Sequence, residues 1–287
     1  MLKNNNQLIK CLLIGYGNIG KIHSKYFNKN KIMWDWFDPY SSKNSKNRIT
    51  QINYESVKVY THIFICTPES THYDIYKNLR KEIKYKGPIF VEKPAVLRIK
   101  DFDIFDDENI MVGMVERFNP AIICLKDNID KEKIVNIDFE RCCDVKIENM
   151  KANVSIIEDL GIHDLDLLCY LLSKENLDNI KLHNFLSPKV RTASIILEDI
   201  KSNSIFRFIW SHETYFKERK IIVRQSDCTY VADLIEQSVK KYQRDSIKNL
   251  YVEKGSSIEN EQKYFFDNTG YFCSKNSHDL LIKCKIN

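Results

Sequence analysis

The sequence predicts an α/β protein in which an N-terminal doubly wound parallel sheet is followed by an α+β domain with a mostly antiparallel open sheet. Three observations predict it. Apolar runs alternate with helix-spaced segments over the first 120 residues, the pattern of strands and helices that build a parallel sheet with helices on both faces. Gly15-Tyr16-Gly17-Asn18-Ile19-Gly20 falls between the first apolar run and the first helical segment. After Pro120 the rhythm changes to β-branched and aromatic stretches joined by short polar turns, which favours antiparallel pairing.

Taken in order, 8–14 is an apolar run expected as a buried strand. Residues 18–27 carry Ile19, Ile22, Tyr26 and Phe27 at helical spacing, and 32–37 is a second strand stopped by Asp38-Pro39. Strands follow at 62–66, 88–91 and 110–114, with a helix at 71–83. In the second half a helix is predicted at 160–173. Extended segments are predicted at 134–142, 190–197, 204–210 and 220–223, and further helices near 234–242 and 278–285. A chain of 287 residues accommodates two domains. They are expected as a dinucleotide-binding domain over 1–118 and a substrate-binding and oligomerisation domain over 119–287.

Composition narrows the function classes. The net charge of +5 is scattered rather than gathered into a stripe, which argues against nucleic acid as the main partner. The nine cysteines include no C-x-x-C pair and no zinc spacing, so they are expected as reduced thiols without a metal, in a cytoplasmic protein. No apolar run approaches the roughly 20 residues that span a bilayer.

The glycine motif has a mechanical reading. Gly15 permits the tight turn, Gly17 lets the backbone approach a pyrophosphate, and Gly20 allows close helix–strand packing, with Asn18 and Ile19 opening the helix whose N-terminus faces the phosphates. This is the Rossmann arrangement. Asp38 lies 18 residues beyond Gly20, where a carboxylate accepts from ribose hydroxyls and repels a 2′-phosphate. NAD is therefore the expected cofactor. NADP stays possible because Ser41, Ser42 and Lys43 stand nearby. Thr67 and Pro68 end a further strand at the same edge and are expected to wall the cofactor, with His72 beside them.

Glu92-Lys93-Pro94 also ends a strand, so Lys93 is expected in the crevice and Glu92 beside the cofactor. A neighbouring oxidised nicotinamide and partial burial both depress a lysine pKa toward the range useful in acid–base catalysis. Asp159 and His163 are spaced i, i+4 and share one helical face, where an imidazole can exchange a proton with a substrate hydroxyl.

The order GYGNIG, ICTPESTH, VEKPAV, VGMVERFNPA and DLGIHDLDL, spread over 8–172, resembles the Gfo/Idh/MocA family of NAD(P)-dependent sugar and cyclitol oxidoreductases. The resemblance implies Lys93 as acid/base, His163 with Asp159 as the second proton-handling pair, and Arg117 and Asn119 facing the substrate. VERFNPA and DLGIHDLDL are most similar to those members that oxidise the 3-hydroxyl of UDP-N-acetylglucosamine. The implied substrate is a sugar or sugar nucleotide, and the implied assembly a homodimer or homotetramer through the open sheet. Alternatives are another sugar, an inositol or a dihydrodiol as substrate, or a catalytically silent sensor of NAD or a sugar nucleotide.

Overall fold

The computed structural model describes residues 3–4, 7–42, 45–146, 154–173, 178–189 and 191–286. The chain divides into two compact units, 1–114 with 258–275, and 115–257 with 276–287.

The first unit opens with a two-residue hairpin, β1 (Lys3–Asn4) and β2 (Gln7–Leu8). Its core is a parallel sheet of β3 (Lys10–Ile14), β4 (Met33–Phe37), β5 (His62–Ile65), β6 (Ile89–Glu92) and β7 (Ile110–Gly113). The spatial order is β4-β3-β5-β6-β7, so the direction of winding reverses beside β3. In such sheets ligands sit outside the carboxyl ends of the strands at that reversal. Helix α1 (Asn18–Lys29) follows β3 directly. Among the described residues between β4 and β5 stand α2 (Tyr54–Val57) and a single parallel bridge from Trp36 to Arg48, with no further strand. The helix expected at 71–83 is α3 (His72–Lys77), running on as a π turn over Asn78–Glu82.

Helices over Tyr54–Val57, Pro120–Asn128 and Ser257–Asp267 were not expected from the sequence. α6 (Ser257–Asp267) returns to the first unit and buries Phe265 and Phe266 completely against the sheet. Phe265 meets Phe64 edge-on at 5.1 Å and Phe90 at 5.5 Å, while Phe64 and Phe90 stack at 5.0 Å. Offset and edge-on pairs of this kind add to the hydrophobic contribution of burying large rings.

The second unit carries α4 (Pro120–Asn128), β8 (Ile134–Asp144), α5 (Ile162–Leu172), β9 (Ile180–Lys189), β10 (Thr192–Asp199) and β11 (Ser204–Ser211). It continues with β12 (Glu213–Gln225), β13 (Thr229–Asp233), β14 (Ser238–Gln243), β15 (Ser246–Leu250) and α7 (Lys275–Ile286). The eight strands lie in the order β15-β14-β13-β12-β8-β11-β10-β9. All pair antiparallel except β8 with β11. Alternation sets the faces: β11 buries Phe206, Phe208 and Trp210 and exposes Ile205, Arg207 and Ile209. The strand expected at 190–197 is realised as β10, and Val190 lies outside the described residues.

The helix expected near 234–242 is corrected to a hairpin turn and β14. Asp233 Oδ1 accepts from the amides of Ile235 and Glu236 at 2.9 Å each, and Gln237 turns left-handed at φ 50°. Val239 then pairs with Ala232 across the ladder. The Asp-initiated turn and cross-strand pairing override a weak helical pattern.

Candidate functional site

The carboxyl edge of the parallel sheet gathers Gly15, Asp38, Thr67 and Lys93, each following the end of its own strand. The three motif glycines have distinct physical roles. At Gly15 φ is +93°, and a Cβ would lie 2.6 Å from the carbonyl oxygen of Cys66. At Gly20 a Cβ would lie 2.3 Å from the carbonyl oxygen of Gly15. At Gly17 a Cβ would meet nothing within 4 Å. The first two glycines hold the turn together, and the third leaves open space above it.

Gly17 is the N-cap of α1, so no side chain caps the helix, and no acidic residue stands in its first turn. The first amides of a helix have no intrahelical partner and carry a partial positive charge. Gly17 and Asn18 are exposed and Ile19 is half-buried. Open space in front of uncapped amides fits a pyrophosphate. Across this turn, Asp38 Oδ2 accepts from the Tyr16 amide and Oδ1 from the Tyr40 amide, at 2.9 Å each. A carboxylate has about four acceptor positions, so two stay open to ribose hydroxyls. Lys43 lies outside the described residues.

His72 is buried and spans two loops. Its Nε2 lies 2.8 Å from the Thr67 carbonyl and its Nδ1 2.9 Å from the Pro94 carbonyl. A neutral ring donates to only one of them. Burial pushes its pKa down, against the two carbonyls, which favour the proton. The ring is a strut between the Thr67 and Lys93 loops. Thr67 is tied to Thr71 by a 2.7 Å hydroxyl bond, and Pro68 is exposed.

Lys93 is half-buried, and its peptide bond to Pro94 is cis. The preceding Glu92 takes a 2.8 Å bond from His23 Nε2, and His23 Nδ1 is bonded to Gln262 of α6. The sequence did not reveal this buried chain because Gln262 lies 239 residues beyond His23. His23, Cys66 and Glu92 also form a group with metal-ligating atoms within 4.8 Å of one another. The geometry reads as structural: both His23 nitrogens are engaged, and burial with nearby carboxylates pushes the Cys66 thiol well up, away from the thiolate a metal needs.

In the second unit a π turn over Ile157–Gly161 leads into α5. Such wide turns recur at functional sites. Gly161 packs closely here, since a Cβ would lie 3.0 Å from the Ile157 side chain and 3.2 Å from the Trp210 ring. Asp159 and His163 are both half-buried on this segment. Asp159 Oδ2 lies 3.5 Å from His212 Nε2.

Beneath them lies a buried ionic network. Arg117 is held by Asp166 through two 2.6 Å bonds, and Ser277 adds a third contact to Asp166 at 2.8 Å. Arg141 bonds Glu116 at 2.8 Å and Asp164 at 2.7 Å, and Trp210 donates to Asp164 at 2.9 Å. Asn119 caps α4 by accepting from Ala121 at 3.0 Å and donates to the Leu234 carbonyl. Within their unit, Arg117 and Asn119 are therefore engaged in packing the segment that carries them. Further arginines of this unit are paired too: Arg219 with Glu116, Arg207 with Asp138, and Arg191 with the His212 carbonyl.

Solved structures of several dehydrogenases share this fold. The chain is similar to UDP-N-acetylglucosamine 3-dehydrogenase GnnA from Acidithiobacillus ferrooxidans at 17% identity, covering 97% of each chain with a TM-score of 0.80. It is similar to levoglucosan dehydrogenase in complex with NADH and levoglucosan at 14% identity, covering 97% of this chain and 96% of that one with a TM-score of 0.77. In sequence it is 26% identical over 183 residues to inositol 2-dehydrogenase of Rhizobium meliloti (strain 1021), a match that takes in 57% of this chain and 54% of that protein. The chain thus spans about half the length of that curated relative. No protein-family model matches the chain. Among the described residues, no helix is long and apolar enough to cross a membrane.

Proposed function

We propose that this chain is an NAD-dependent oxidoreductase of the Gfo/Idh/MocA family that oxidises a secondary hydroxyl of a sugar or sugar nucleotide. The observation that carries this reading is the sheet edge where an open, uncapped helix start, a carboxylate at Asp38 and a lysine at Lys93 each follow the end of a parallel strand. We assign dinucleotide binding to the first unit, and substrate binding and self-association to the second.

Gly15, Gly17, Asn18, Ile19 and Gly20 hold the pyrophosphate on helix amides, and Asp38 accepts from the adenine ribose. When bound, the nicotinamide supplies the hydride acceptor. Lys93 takes the hydroxyl proton as the carbonyl forms. His163, supported by Asp159, is the second group that holds or returns that proton. Thr67, Pro68, His72 and Glu92 shape the cofactor side of the site, His72 by holding two loops together. Arg117 and Asn119 act through the segment that they anchor. The exposed Ile205 and Ile209 of β11 support a homodimer or homotetramer formed through the open sheet.

For the substrate, the motif resemblance and the likeness to GnnA favour the 3-hydroxyl of UDP-N-acetylglucosamine. The sequence match to an inositol dehydrogenase supports a cyclitol as the second reading. The test is incubation with NAD and UDP-N-acetylglucosamine, UDP-N-acetylgalactosamine, myo-inositol or free sugars, with mass spectrometry of the product. A 3-keto UDP-sugar, drawn off by an added aminotransferase, supports the first reading. A keto-inositol alone supports the second.

A further inference from the structure

A histidine that the sequence reading did not use faces the Asp159 carboxylate. His212 stands at the junction of β11 and β12, and its backbone is clamped. Its amide donates to the Arg191 carbonyl at 2.8 Å, while its own carbonyl accepts from Arg191 Nη2 at 2.9 Å and from the Val145 amide at 3.2 Å. The residue is 5% exposed, and neither ring nitrogen has a hydrogen-bond partner among the described residues. Nε2 points to Asp159 Oδ2 at 3.5 Å, just beyond a well-formed hydrogen bond. The Asp159 carboxylate is thus the acceptor that faces Nε2.

We propose that His212 is a positioning residue that fixes the carboxylate of Asp159 and, through it, the proton-handling pair Asp159–His163. The proposal rests on the reading of that pair given above. With its proton on Nε2, the neutral ring donates toward Asp159. A proton on Nδ1 instead would put a lone pair against that carboxylate, so Asp159 also selects the tautomer.

The charged and titratable groups around this ring come from several elements. Asp159 comes from the π turn, Arg191 from the turn between β9 and β10, and Glu213 from the start of β12, where it lies 3.8 Å from Arg191. Cys143 of β8 feels the Asp159 charge as well, and His163 follows Asp159 on the same helical segment. Burial pushes the His212 pKa down, Asp159 pushes it up, and Arg191 pushes it down again. The net direction keeps the ring neutral, as the donor role requires.

The experiment compares His212→Asn, His212→Gln, Asp159→Asn and the double variant H212N/D159N in NAD reduction with the sugar and cyclitol panel. The expected loss in kcat for H212N is roughly tenfold, below the ~10²–10⁴ attributed to a direct acid–base group, with the NAD dissociation constant unchanged. H212N/D159N is expected to be no slower than D159N, because the two residues act as one unit. Wild-type kcat in both His212 variants, or a fully additive loss in the double variant, overturns the proposal.

A second readout does not depend on turnover. In ring NMR of the full chain, His212 should titrate at lower pH in D159N than in the wild type, since the carboxylate stabilises the imidazolium. An unchanged titration overturns the pairing, including when H212N fails to fold. If the wild type reduces NAD with no substrate, the proposed function fails, and the NMR titration still decides the His212–Asp159 pair.

Discussion

The amide of Tyr16 donates to the carboxylate of Asp38 at 2.9 Å, tying the glycine turn to the end of the second parallel strand. Asp38 therefore shapes the cradle, and in the proposed function its charge would discriminate between dinucleotides. Asp38→Asn keeps an acceptor for the Tyr16 amide and removes the charge. The ratio of NADP to NAD dissociation constants, measured by titration calorimetry, should fall by roughly tenfold through loss of repulsion toward a 2′-phosphate. An unchanged ratio would remove Asp38 from cofactor selection.

Gly17 and Gly20 separate binding from folding. A Cβ at position 17 enters open space, and one at position 20 lies 2.3 Å from the Gly15 carbonyl oxygen. Gly17→Val should keep the melting temperature within a few degrees while weakening NAD by more than tenfold, since the side chain would fill the space proposed for the pyrophosphate. Gly20→Val should lower both, because overpacking costs typically 1–3 kcal/mol or more. Thermal melts and NAD titrations on the same samples distinguish the two.

His62 predicts a pH dependence of stability. Its ring packs edge-on against Phe265 and Phe266, and burial lowers its pKa from the ordinary 6.5 to about 4. Between those values the unfolded chain binds a proton that the folded ring refuses, so stability falls as pH drops from 6.5 toward 4. At 1.36 kcal/mol per pKa unit the loss is about 3 kcal/mol. Denaturant midpoints from pH 7 to 4 should show this slope in the wild type and lose most of it in His62→Asn.

Glu116 governs a lower window. Burial alone would raise its pKa, but Arg141 and Arg219 outweigh burial and hold the carboxyl below the usual carboxylate range. A depressed carboxylate contributes stability that is complete above the unfolded value, 4.5, and lost as pH falls through the folded value. Glu116→Gln should cost about 1.5–3 kcal/mol at neutral pH, since Arg141 keeps Asp164 but loses its second carboxylate and Arg219 loses its ion pair. It should also flatten the stability curve below pH 4.5. Calorimetric melts across that range check both effects.

Most of the parallel sheet was legible because its strands are buried on both faces and bracketed by Gly, Pro and Asp. The segment 234–242 was misread because Leu234, Ile235, Val239 and Tyr242 mimic helical spacing, whereas the turn at Asp233 and the Val239–Ala232 pairing decide the outcome. α6 was missed because its apolar residues are few. Its glutamates, Gln262 and Lys263 form helices readily, and Phe265 and Phe266 recur seven and eight residues after Ile258. The candidate site residues were legible where a motif marks them. What surrounds them was not, since Arg117 meets Asp166 and Asp159 meets His212 across 49 and 53 residues. Such pairings arise from tertiary packing and leave no local signal.

The central claim is hydride transfer from a sugar hydroxyl to NAD with Lys93 handling the proton. Its most direct test is the absorbance of reduced nicotinamide when wild-type protein and Lys93→Met are mixed with NAD and the substrate panel. The account predicts a rise with at least one sugar or cyclitol, and a rate lower by roughly 10²–10⁴ in the variant while NAD still binds. Equal rates in the two proteins, or NAD bound with no reduction by any substrate, would contradict it.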